Sequence, residues 1–187
     1  MFARLFPLLF GLLFAASLPA FGQAGKLDVA VKRADVDGQH QFDVTASGTV
    51  QAAPAAVWKV LTSYERMPEF VPDLRSARVL SRTPNRAVIE QVGVARFLFF
   101  QREIHLVVQA IEEPNNRIDV SLVDGDMRVY QCRWELTPVP ETGGTRIVYT
   151  GKLAPRFYVP SMLGANLIRS DIERMMAAVL ARLDQPE

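Results

Sequence analysis

The amino-acid sequence predicts an α+β fold, an antiparallel strand meander followed by one long C-terminal helix. Two patterns predict it. From Arg75 to about residue 154, apolar and polar residues alternate with a period of two, as half-buried strands require. From Met162 onward the period changes: Leu163, Leu167, Ile168, Ile172, Met175, Met176, Val179, Leu180 and Leu183 recur at three- and four-residue steps. Composition supplies a third observation. Hydrophobic residues make up 49% of the 187, enough for one domain with its own core plus a targeting segment.

The first 24 residues differ from the rest. Arg4 is their only charge, Leu5 to Leu18 form a short apolar run, and Ala20 and Gly22 are small residues flanking Phe21. That order predicts a secretory signal peptide over residues 1–24, cleaved after Gly22 or Ala24, with residues 25–187 forming the exported, periplasmic domain. The run is short for a membrane span, which needs about 20 residues. An uncleaved N-terminal membrane anchor is the alternative. The chain has a single cysteine, Cys132, so no intrachain disulfide can form and the fold must stand on its core.

The elements follow in order. Leu27, Val29 and Val31 alternate with polar or small residues as a strand, and Asp37-Gly38 marks a hairpin turn. A second strand spans about 41–51, with Phe42, Val44, Ala46, Gly48 and Val50 on one face. Pro54 opens a helix at its first turn, where its missing N–H costs little. Pro68 and Pro72 leave room only for a short helical turn between them. Strands are predicted near 75–82, 86–95, 97–111, 117–124, 127–137 and 145–154. Their boundaries fall at Pro84-Asn85, Pro114-Asn115-Asn116, Asp124-Gly125-Asp126 and Thr142-Gly143-Gly144. Pro160-Ser161 bounds the final helix, whose roughly 20 residues span ~30 Å.

The run Val57-Trp58-Lys59-Val60-Leu61-Thr62-Ser63-Tyr64-Glu65-Arg66-Met67-Pro68-Glu69-Phe70-Val71-Pro72 resembles the first-helix segment of the polyketide cyclase/dehydrase and lipid-transport family. Gly125-Asp126-Met127-Arg128, Trp134, Gly144-Thr145 and Tyr149 resemble its strand pattern. The likeness runs from about residue 44 to 183. It identifies the chain with the START-like (SRPBCC) helix-grip superfamily, and it is similar to coenzyme Q-binding START-type proteins within it. The resemblance implies a curved antiparallel sheet wrapped around the long helix, two short helices after the first core strand, and a cavity between sheet and helix. Relatives bind sterols, phospholipids, quinones or polyketides, and a few are cyclases.

Given that cavity, alternation assigns its walls. In strand 97–111, Leu98, Phe100, Arg102, Ile104, Leu106, Val108 and Ala110 share the inward face; in strand 127–137, Arg128, Tyr130, Cys132, Trp134 and Leu136 do. The expected ligand-binding residues are Trp58, Phe70, Glu90, Phe100, Arg102, Arg128, Tyr130, Trp134, Tyr149, Leu163 and Leu167. Plain core packing accounts for the same apolar faces. Arg102 and Arg128 are costly on such a face unless paired. Either Glu90, on a face with Val88, Val92 and Val94, bridges them, or they donate to a polar ligand head. Phe97 and Phe99 point outward near a hairpin end. They are expected to touch a membrane or donor protein transiently during ligand exchange, or to be covered by the N-terminal strand or a dimer partner.

The rest of the sequence narrows function further. Lys+Arg total 21 against 20 Asp+Glu, so no strong field recruits nucleic acid, and no nucleic-acid partner is expected. The two histidines, His40 and His105, are far apart, and no metal-ligand spacing, phosphate loop or nucleophile elbow occurs. No cofactor, metal or catalytic residue is expected. The sequence therefore predicts binding and transport of a hydrophobic small molecule such as a lipid or isoprenoid quinone. The alternative is a polyketide cyclase/dehydratase-type enzyme using the same cavity, with Arg102, Tyr130 and Glu90 as its proton-handling groups.

Overall fold

The computed structural model describes residues 27–97, 100–157, 159 and 164–184. The expected signal segment 1–24, Leu98, Phe99, Pro160-Ser161, Met162 and Leu163 lie outside them, as do the side chains of Phe97 and Phe100.

Strands β1 (Asp28–Val36) and β2 (Gln39–Val50) form a hairpin. Its turn residues Asp37 and Gly38 both have positive φ, 52° and 72°, the conformation that matches a two-residue turn to strand twist. Helix α1 (Pro54–Thr62) and a 3₁₀ turn (Tyr64–Glu69) then carry the chain to the far edge of the sheet. From there β3 (Leu74–Thr83), β4 (Arg86–Phe97), β5 (Phe100–Glu113), β6 (Arg117–Gly125), β7 (Met127–Val139) and β8 (Gly144–Pro155) return as a meander. The result is one eight-stranded antiparallel sheet in the order β1-β2-β8-β7-β6-β5-β4-β3. The sheet is curved, and helix α2 (Gly164–Leu183) packs on its inner face, chiefly against β1 and β2, and against α1.

Alternation sets what faces inward. Phe42, Val44, Ala46 and Val50 of β2 are buried, as are Leu106, Val108 and Ala110 of β5, Cys132, Trp134 and Leu136 of β7, and Ile147, Tyr149 and Leu153 of β8. Ile172, Met176, Val179 and Leu180 supply the buried face of α2. Each large side chain buried this way contributes about 1.5–3 kcal/mol.

Two glycines let α2 approach β2. A Cβ on Gly48 would lie 2.7 Å from Leu180 Cδ1, and one on Gly164 would lie 2.8 Å from both Phe42 Cζ and Val159 Cγ1. Gly164, near the start of the helix, thus makes room for β2 and for Val159 rather than for a ligand.

Two facings differ from the sequence reading. On β4, Ala87 and Ile89 are buried, so Val88 and Glu90 occupy the outer face. Both faces of that strand carry apolar residues, and alternation alone does not choose between them. On β7, the register slips between Met127 and Val129 in the pairing with β8. This bulge turns Met127 inward and leaves Arg128 exposed.

Candidate ligand cavity

Between the sheet and α2 lies an apolar cavity of about 150 Å³. The strands furnish Ile89 and Gln91 from β4, Val108 and Ala110 from β5, Ile118 and Val120 from β6, Tyr130, Cys132 and Trp134 from β7, and Tyr149 from β8. Leu61 of α1, Tyr64 and Met67 of the 3₁₀ turn, and Val71 and Leu74 after it close one side; Met175 and Val179 of α2 close another. A second apolar cavity, about 130 Å³, lies among Ile104, Met127, Leu153, Phe157, Leu167 and Ile168, with Arg96 and Asp171 also on its wall. A larger recess of about 530 Å³ sits among outer-face residues such as Asp43, Asp119, Arg133 and Lys152. That recess is open to solvent and carries four charged side chains, Asp43, Asp119, Arg133 and Lys152, whereas the first interior cavity has none on its wall.

The polar groups of the first cavity are neutral. The hydroxyls of Tyr130 and Tyr149 are electrostatic neighbours of the Cys132 thiol. Burial, followed by the neighbouring sulfur, raises both tyrosine pKa values well above normal. Burial likewise pushes the Cys132 thiol up to about 12, against the opposing influence of Tyr149 and Tyr130. A thiol held protonated in this way is a poor nucleophile. Trp134 and Tyr149 meet edge to face with ring centroids 4.9 Å apart, which braces this wall. The Gln91 side chain forms no hydrogen bond among the described residues, so its carboxamide is available to a guest.

Two charged clusters border the cavities. Glu112, only 5% exposed, accepts a hydrogen bond of 2.8 Å from the Tyr64 hydroxyl and one of 3.1 Å from Arg82. The Arg82 guanidinium also lies 5.5 Å from the Tyr64 ring centroid. Burial, and then the Glu112 hydrogen bond, raise the Tyr64 pKa. On the other side Asp73 accepts from Arg96 at 2.6 Å and from Arg174 at 3.1 Å, and Arg174 also donates to Asp171 at 2.6 Å. This latch ties α2 to β4 and to the segment ahead of β3.

The expected ligand-binding residues are dispersed by the structure. Tyr130, Trp134 and Tyr149 line the first cavity and Leu167 the second. Trp58 packs against the core outside both, and Phe70 lines a surface recess with Ala178, Ala181 and Arg182. Glu90 is directed away from the cavities and pairs with Arg78 at 2.8 Å and His105 at 3.2 Å. Arg128 donates to the His40 carbonyl at 3.4 Å on the surface. Arg102 is exposed and lies over the Phe157 ring, 4.7 Å from its centroid. The bridge expected between these arginines and Glu90 is therefore absent: the bulge carries Arg128 outward, and Glu90 stands on the opposite face. Gln91, Tyr64, Met67, Val71 and Cys132 line the first cavity in addition to the expected ligand contacts. Gln91 was detectable as a polar residue opposite the Glu90 face, once Ile89 is placed inward.

An eight-stranded curved sheet closed by a long helix over an apolar cavity defines a START-like helix-grip protein. Residues 50–180 match the family described as polyketide cyclase / dehydrase and lipid transport, and the chain belongs to that family. No curated protein sequence matches the chain significantly. Among solved structures it is similar to a STAR-related lipid transfer protein from Xanthomonas axonopodis, with a TM-score of 0.69 and 20% identity over 87% of this chain and 98% of that one. It is also similar to human StAR-related lipid transfer protein 5, with a TM-score of 0.65 and 14% identity over 88% of each chain. The Zhui aromatase/cyclase from Streptomyces sp. R1128 has a TM-score of 0.64 and 15% identity over 78% of this chain and 94% of that one. At these identities the likeness is one of fold.

Proposed function

We propose that the protein binds a hydrophobic small molecule between its sheet and α2 and carries it, without transforming it. The observation that carries this reading is the apolar interior cavity, whose wall is built from eleven strand residues and two positions of α2. Removing apolar ligand surface from water contributes about 25 cal/mol per Å². At about 150 Å³ the cavity is smaller than the 300–1,000 Å³ typical of ligand sites, so a long guest needs more than this one void. The family match and the lipid-transfer neighbours support the same reading.

The cyclase reading has a structural neighbour in its favour, but its three proton-handling groups do not meet in this chain. Tyr130 lines the cavity, Arg102 is exposed beside Phe157, and Glu90 is on the outer face. Extraction of the purified protein with organic solvent, followed by mass spectrometry, tests the carrier. A stoichiometric hydrophobic compound is expected; a protein that emerges empty and binds no apolar probe sinks the idea. The N-terminal pattern around Arg4, Leu5–Leu18 and Gly22 supports export of the carrier to the periplasm. A mature N-terminus immediately after Gly22 or Ala24 is the expected result of N-terminal sequencing, and retention of Met1 in membrane fractions would favour the anchor. Contact of Phe97 and Phe99 with a bilayer during exchange belongs to the same proposal.

A further inference from the structure

The two interior cavities follow one another along the strands. On β4, Ile89 and Gln91 line the first, while Ala95 and Arg96 line the second. On β5 the same order runs from Val108 and Ala110 to Ile104, and on β8 from Tyr149 to Leu153 and Pro155. Helix α2 repeats it, with Met175 and Val179 at the first cavity and Leu167, Ile168 and Asp171 at the second. Asp171 and Met175 are one helical turn apart, about 6 Å along the axis. Four elements thus place the voids in line, a turn of helix apart.

Their chemistry differs. The first holds hydroxyl, thiol and carboxamide groups and no charged side chain, and the Gln91 side chain lacks a partner among the described residues. The buried acid behind it, Glu112, is already bonded to Tyr64 and Arg82. The second is aliphatic and aromatic, and its two charged members are engaged, Arg96 with Asp73 and Asp171 with Arg174. A largely apolar cavity near 150 Å³ is the size that accepts one six-membered ring. An ionised head placed there would lose its hydration and find no counter-charge.

Resting on the carrier reading, we infer that the two cavities are successive compartments of one site for an uncharged amphiphile. A ring-sized head bearing a carbonyl or hydroxyl group lies beside Gln91, Tyr130 and Tyr149, and its aliphatic chain runs toward Ile104 and Leu167. Phospholipid and fatty-acid heads are rejected by the lack of a compensating charge.

Matched probes test this by calorimetry on the delipidated full domain. At pH 7.5, 4-octylphenol is expected to bind at least tenfold more tightly than 4-octylbenzoate. In the wild type, affinity should rise about fourfold per methylene from 4-ethylphenol toward 4-octylphenol, as burial of each methylene predicts. Leu167→Trp should collapse that chain-length gain and leave 4-ethylphenol unchanged. Ile104→Phe provides the same test should the first variant fail to fold. Gln91→Leu should weaken both phenols roughly three- to tenfold, the loss of one hydrogen bond. Equal or tighter binding of the benzoate, abolished by Arg102→Gln, would overturn the inference by placing an anionic head at the Phe157 rim, while the carrier reading stood. A chain-length gain untouched by both outer-compartment variants would also overturn it. Binding of none of the probes, with no co-purified compound, would remove the carrier reading and this inference together.

Discussion

Cys132 shows how position decides the chemistry of a side chain. It is the only thiol in the chain, yet burial pushes its pKa up to about 12. Reactivity with a small disulfide reagent should stay low from pH 7 to 10 in the native protein, with no plateau in that range, then appear in full on unfolding in urea. A fast native reaction rising near pH 8.5 would contradict the assignment. Tyr64 makes the complementary case, because its hydroxyl is one of two side-chain donors to the buried Glu112 carboxylate. Tyr64→Phe should cost about 1–3 kcal/mol in urea unfolding, since Arg82 alone then serves that carboxylate. Single residues were unevenly legible in the sequence. Tyr130, Trp134 and Tyr149 stood on clear alternating faces and line the cavity. Glu90 stood on a strand apolar on both sides, where the period carries no direction. Arg128 was displaced by a bulge that depends on two strands at once, and one strand's sequence does not encode it.

Strands and helices were more legible, because their periods differ and proline, asparagine, aspartate and glycine mark the boundaries. Observed β6 (Arg117–Gly125) and β8 (Gly144–Pro155) lie within one or two residues of the ranges read from alternation. The latch between elements was not legible, since Asp73, Arg96 and Arg174 are distant in sequence and meet only after folding. Burial opposes ionisation of Asp73, but the hydrogen bonds from Arg96 and Arg174 outweigh it and hold the carboxyl below its ordinary value. A depressed folded pKa contributes stability above the unfolded value of about 3.9, and loses it as pH falls through the folded value. Asp171 runs the other way, burial raising its pKa against Arg174, so its protonation costs the fold nothing. Acid loosening of α2 should therefore track Asp73. Hydrogen exchange in residues 70–74 and along α2 is expected to stay slow down to about pH 4 and to rise below it. Asp73→Asn should show the faster exchange already at pH 7; unchanged exchange in that variant would remove the latch from the account.

For the whole molecule, the proposed carrier role requires release of a ligand as well as its binding. In sequence, the apolar run Phe97-Leu98-Phe99-Phe100 falls between β4 and β5, and Ala95, Arg96 and Ile104 of those strands border the second cavity. Replacing Phe97 and Phe99 with serine should slow transfer of a fluorescent lipid between vesicles severalfold while leaving equilibrium binding intact. An unchanged transfer rate would sever exchange from that tip. The fold as a whole was foreseeable from the order of elements, but the size of the interior space was not, because it depends on how far α2 stands from each strand. Gly48 and Gly164 bring the helix down on β2, at opposite ends of its length. Neither belongs to a cavity wall, yet together they fix the helix along one border and so set the headroom over the other. Adding a methyl group at Gly48, against the Leu180 side chain, would act like a shim under that border. The chamber is dimensioned by two side chains that are missing, and its capacity should change most readily at positions no cargo touches.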